Sequence, residues 1–201
     1  MDFIKKLKIA AGMQSSKKEN DIEQDHLEIT QNDTIDEVFA KNLLKNNGIF
    51  FYCSKKDDLV KTIRALLKKI NGNLIFCNEN ILKELLNNAD INQSSSDYTN
   101  CDAMISSCEY LIAHNGKIML SSKQLGPNPI KNLPHQHIVI AYTSQIVKNL
   151  NEAMSGINTR YIHEGLPSTI TTITSIKNNN NNNIEGNTKS LSVILIEDFK
   201  D

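Results

Sequence analysis

Residues 108–122, Cys-Glu-Tyr-Leu-Ile-Ala-His-Asn-Gly-Lys-Ile-Met-Leu-Ser-Ser, run through a short loop to Leu133-Pro134-His135-Gln136-His137-Ile138-Val139-Ile140. These two segments decide the fold. Residues 110–113 and 117–120 flank Asn115-Gly116, a dipeptide that predicts a tight hairpin turn with two positive φ angles. Residues 137–142 then form an unbroken apolar run, the pattern of a strand covered on both faces.

Working outward, the same reading applies on either side. Thr34-Ile35-Asp36-Glu37 is a capping box, in which the threonine accepts from the amide three residues on and the glutamate reaches back. Ile35, Val38, Phe39 and Leu43 mark one face of the helix it opens, and Gly48 is placed to end that helix. Residues 49–53 read as a buried strand. Leu59, Ile63, Leu66, Leu67 and Ile70 give residues 56–70 a helical stripe. Residues 74–77 form a second apolar strand, after which Asn78 is positioned to cap a helix carrying Ile81, Leu82, Leu85 and Leu86. Past the hairpin, Gly126, Pro127, Pro129 and Pro134 mark a loop. Ile146, Val147, Leu150, Ala153 and Met154 predict a helix over 144–154, and residues 169–174 and 191–196 predict two more strands. Strands alternating with helices imply one α/β domain over residues 34–201, with a mainly parallel sheet and helices on both faces.

Composition excludes several function classes. The chain has 201 residues, room for one core, with 22 basic against 23 acidic residues and a net charge of −1, so no global charge draws it to nucleic acid. No apolar run reaches the roughly 18 residues of a membrane span. Residues 1–33 read as a flexible, polar N-terminal segment. Within it, Phe3, Ile4, Leu7 and Ala11 form a short basic amphipathic stretch over 1–11, read either as a frayed helix or as a weak membrane-surface contact. Cys53, Cys77, Cys101 and Cys108 lack Cys-x-x-Cys spacing and read as reduced structural thiols of a cytoplasmic protein, with no metal and no cofactor. The six asparagines at 178–183 neither pack a core nor fix one conformation, which suits a flexible connection between two strands.

The ligand-binding candidates are His114, Gly116, Ser121, Ser122, His137 and Lys177. His135 and His137 lie two apart at a strand entrance and share a face, but no third metal ligand stands near them. A half-buried, hydrogen-bonded structural His137 is the plainer reading. His114 sits at the hairpin tip, where a turn role competes with a functional one. Ser121 and Ser122 leave a strand end, where hydroxyls suit an anion but are also ordinary loop residues. Asp102 and Glu109 flank Cys108 and read as solvent-facing acids. No phosphate loop, nucleophile elbow or paired-acid motif is present.

The stretch from 101 to 150, above all the hairpin, the "Leu-Pro-x-x-His-Ile-Val" strand and residues 140–145, resembles the LUD-domain family, named for lactate utilisation. The resemblance covers about residues 34–198. It implies a sheet of the ribose-5-phosphate isomerase and CoA-transferase type. It further implies an accessory role in lactate or related 2-hydroxy-acid oxidation, beside partner subunits that hold iron–sulfur clusters. Where many relatives carry Glu-Thr-Gly-Ser at the hairpin tip, this chain has His114-Asn115-Gly116-Lys117. An arginine before "Leu-Pro" is missing. The Gly-Pro-Ser-Arg-Thr-Ala-Asp motif gives way to Ser175-Ile176-Lys177 and the asparagines, and Lys177 supplies charge without a guanidinium fork. Three readings stand: an accessory protein binding a partner or small anion, an enzyme acting on a small carboxylate or phosphate at the strand ends, and a degenerate structural member.

Overall fold

The structure is a computed structural model that describes residues 27–94, 96–175 and 187–197. Its helices are α1 (Ile35–Lys45), α2 (Lys56–Lys69), α3 (Asn80–Asn88), the single turn α4 (Ser122–Leu125) and α5 (Leu150–Arg160). Its strands are β1 (Ile49–Cys53), β2 (Ile75–Phe76), β3 (Gln93–Ser94), β4 (Ala103–Ser106), β5 (Tyr110–Ile112), β6 (Lys117–Ser121), β7 (Gln136–Tyr142), β8 (Ile146–Val147), β9 (Ile170–Ser175) and β10 (Thr188–Ile196).

Period-two alternation along the strands builds the layers. On β10, Leu191, Val193 and Leu195 pack on one face with Val139, Ala141, Phe39 and Leu43. Ile194 and Ile196 pack on the other with Ile138, Ile140, Ile63 and Leu86. Helices α2 and α3 therefore cover one face, and α1 the other. The strands between them are parallel in the order β3-β2-β4-β7-β10, with β1 also parallel to β10. Burial on both faces explains why these strands are apolar throughout. The α/β class and its mainly parallel sheet are as the sequence predicts.

The hairpin belongs to a second set of strands. Strand β6 pairs antiparallel with β5 and β9, and β5 pairs parallel with β8. Strand β9 meets β10 only through Thr174↔Thr188 and Ser175↔Lys189. Strand β9 therefore lies along β6, while residues 191–196 lie between β7 and β1. A third cluster, Tyr110, Ile112, Met119, Ala153, Ile157 and Tyr161, fastens α5 over the hairpin.

Local chemistry agrees with the sequence at α1, where Thr34 and Glu37 form the reciprocal capping box. It differs at four places. The residue in left-handed conformation after α1 is Asn47, φ 62°, and not Gly48. Asn78 does not cap α3, because Glu79 holds that position and the Asn78 amide donates to the Lys123 carbonyl instead. Ile146 and Val147 form a strand, and the helix begins only after Asn149, whose side chain accepts from the Glu152 amide. In the hairpin turn only Gly116 has positive φ, since residues 113–115 make a 3-10 turn. This longer turn docks on α1: Asn42 donates to the carbonyls of Ala113 and His114, and Asn46 to that of Asn115. A Cβ on Gly116 would lie 2.6 Å from the backbone of Asn42 and Leu43.

Among the described residues, no helix is long and apolar enough to cross a membrane. The amphipathic stretch 1–11 and the asparagine run lie outside the described residues.

Candidate ligand cleft at the strand carboxyl ends

Parallel strands of one sheet end on the same edge, and open α/β sheets bind ligands outside those carboxyl ends. Strands β2, β4, β7 and β10 end here at Phe76, Ser106, Tyr142 and Ile196. The residues just beyond them frame a cleft of about 800 Å³. Glu79, Ser107, Glu109, Gln124 and Arg160 form its polar side, and Leu59, Leu82, Leu85, Ile140 and Ile196 its apolar side.

Glu109 anchors the polar side. It precedes β5 directly and is completely buried. A buried carboxylate needs compensation on all sides, and four side chains provide it. Its Oε1 accepts from Ser121 Oγ at 2.7 Å, Tyr161 OH at 2.8 Å and Gln124 Nε2 at 3.3 Å. Its Oε2 accepts from Arg160 Nη1 at 2.6 Å. The Arg160 guanidinium also lies over the Tyr110 ring, 4.8 Å from the centroid, while 40% of the side chain stays exposed. Burial first, then the hydrogen bond to Glu109 and its charge, push the Tyr161 phenol up to about 12, so it stays a donor at neutral pH. The reading of Glu109 as a solvent-facing acid is therefore corrected; Asp102, read the same way, is exposed and accepts from the Asn73 and Leu74 amides.

Glu79 is the second carboxyl. It is half-buried at the mouth of α3 and accepts from the Ser107 amide at 2.7 Å and the Ser107 hydroxyl at 2.5 Å. Burial raises its pKa and the negative charge of Glu109 adds to that, while the two Ser107 bonds oppose it. Gln124 joins the two carboxyls, with Nε2 also 3.5 Å from Ser107 Oγ. The polar side is thus one line, Glu79–Ser107–Gln124–Glu109–Arg160. It contains a carboxyl biased toward its neutral form and a guanidinium shared with an internal acid.

The residues singled out from sequence scatter around this line. Ser121 reaches it, but as support for Glu109 and as the cap of α4. Ser122 is half-buried and donates its amide to the Thr169 carbonyl. His114 and Gly116 sit at the far end of the hairpin, against α1. His137 is buried inside the sheet, not half-buried at its end. Its Nε2 lies 2.8 Å from Ser106 Oγ, and its Nδ1 has no hydrogen-bond partner. Burial, with a smaller effect from Lys189, lowers its pKa to about 3. Lys177 lies outside the described residues. Cys108 touches the cleft, but burial, followed by the charges of Glu109 and Glu79, pushes its thiol far above the range of a nucleophile. Among the described residues no three His, Cys, Asp or Glu side chains group as metal ligands would.

A parallel sheet whose carboxyl ends frame an acid- and arginine-lined cleft defines an open α/β domain with a candidate site at its strand ends. The sequence pattern of the LUD domain matches residues 37–196, and the chain belongs to that family. Among solved structures it is similar to a DUF162 family protein from Deinococcus radiodurans, with a TM-score of 0.59 and 20% sequence identity. The alignment covers 81% of this chain and 96% of that one. At that identity the likeness speaks for the fold. No curated protein matches the chain.

Proposed function

We propose that this LUD-domain protein is an accessory component of lactate or related 2-hydroxy-acid utilisation, and that it holds a small hydroxy-carboxylate in the cleft. Redox chemistry would then fall to iron–sulfur partner subunits. The observation that carries this reading is the presence of Arg160 and Glu79 at two points of one polar line along one cleft. A guanidinium suits a carboxylate, and a half-buried carboxyl suits a hydroxyl donor. The charge count narrows the class. Arg160 is the one cationic side chain among the lining residues and is already shared with Glu109, while Glu79 and Glu84 also line the cleft, so positive charge is scarce there and a monoanion suits it better than phosphate. The domain itself is taken to span residues 34–201, and Glu28 and Asp33, ahead of that bound, are tied to it through Lys41.

Calorimetric titration with L-lactate, glycolate and inorganic phosphate tests this. The two acids should bind and phosphate should not, and Arg160→Lys should weaken lactate about tenfold by losing the planar fork. Equal lactate affinity in wild type and variant, or tighter binding of phosphate, would refute the reading.

A further inference from the structure

The cleft is far larger than the head group just assigned to it. A volume of about 800 Å³ falls within the roughly 300–1,000 Å³ of sites that enclose drug-sized ligands, whereas a three-carbon acid would occupy one corner. Much of the remaining wall is apolar and continuous with the core, with Glu84 and Asn88 of α3, Tyr142 and Gln145 as its polar members. Leu59, Leu82, Ile140 and Ile196 belong to the cluster under α2 and α3, yet each also faces the cleft. Leu85 is packed only in part against that cluster, and Ile81 on the same helix is 83% exposed at the rim. An apolar wall opening beside a polar line is the shape that an amphipathic ligand fills.

We propose that the cleft takes 2-hydroxy or 2-oxo monocarboxylic acids with a hydrocarbon body of several methylenes. The head lies on the line from Glu79 to Arg160, and the body runs along Leu82, Leu85, Ile140 and Ile196 toward Ile81. This rests on the carboxylate reading above and extends it from the head group to the whole ligand. Each methylene laid on the wall should tighten binding roughly threefold to fourfold, until the chain reaches the rim and the gain stops.

Titrating the full chain with straight-chain L-2-hydroxy acids of increasing length, and with n-alkanols of matching length, tests the inference. Expected is a stepwise rise in acid affinity that levels off. Leu85→Gln and the rim-exposed Ile81→Gln should flatten the rise. Lactate binding with no gain, or a loss, for longer acids overturns the hydrocarbon body and leaves the head-group reading standing. Alkanols that gain affinity with length while no acid binds overturn the head-group reading and, with it, the ligand class named here. An unchanged length dependence in both variants overturns the placement of the body.

Discussion

The two ends of the parallel strands treat their polar side chains in opposite ways. At the amino ends, His137 and Lys189 are 1% and 3% exposed. Lys189 donates to the Leu133 carbonyl at 2.8 Å, and His137 leans on Ser106 with its other nitrogen unpaired. Burial lowers the pKa of both. At the carboxyl ends, Glu109 is as deeply buried, but its partners lead outward through Gln124 and Arg160 to a cleft. Burial alone therefore does not mark a site. A polar group that ends in the core is a cost of folding, whereas one connected to open volume is available to a ligand.

The largest expected effect comes from cutting the carboxyl-end network at its centre. Glu109→Ala leaves Arg160, Tyr161, Ser121 and Gln124 without their shared acceptor, and should cost about 3–5 kcal/mol in urea unfolding. Glu109→Gln keeps an acceptor oxygen and should cost clearly less. Equal, small losses in both variants would mean that the network is not a structural unit.

The amino end should announce itself through pH. The His137 pKa falls from 6.5 to about 3 on folding. Below the higher value the unfolded chain takes up a proton that the folded chain refuses. Stability from the neutral histidine is thus complete above 6.5 and is lost as pH falls toward 3. Between neutrality and about pH 5 this removes about 2 kcal/mol. In His137→Met that share of the acid sensitivity should disappear, as read from unfolding curves at the two pH values. An acid sensitivity identical to wild type would contradict the assignment.

The smallest effect separates the ends most sharply. Lys189→Met replaces a buried ammonium with an apolar side chain of similar reach. It should change stability by no more than about 1 kcal/mol and leave lactate affinity untouched. A large loss of binding would join Lys189 to the site and remove the contrast.

Much of the fold is legible because it rests on short-range pattern. Apolar runs at 49–53 and 137–142, the Thr34 capping box and the stripe from Leu59 to Leu67 each carry their own signal. Ile146-Val147 misleads because two apolar residues ahead of Leu150 fit a helical period as well as a strand, and only pairing with β5 decides between them. The site is less legible. The partners of Glu109 come from positions 121, 124, 160 and 161, so no local spacing distinguishes it from a solvated acid. Glu79 is hidden in the same way, since its partner Ser107 is 28 positions away. Arg160 is one of two arginines in a chain with twenty lysines, which is the one signal that singles it out. The hairpin tip singles out His114 and Gly116 in the sequence, and their carbonyl and backbone contacts serve docking on α1.

The central claim is that Glu79 and a bound carboxylate share one cleft. Its most direct test is L-lactate affinity against pH, in wild type and in Glu79→Gln. Because burial and Glu109 raise the Glu79 pKa, falling pH should neutralise it and relieve repulsion while the ligand is still ionised. Wild-type affinity should therefore rise as pH falls below neutrality, and Glu79→Gln should bind with less pH dependence over the same range. A flat wild-type profile, or the same rise in the variant, would contradict the account.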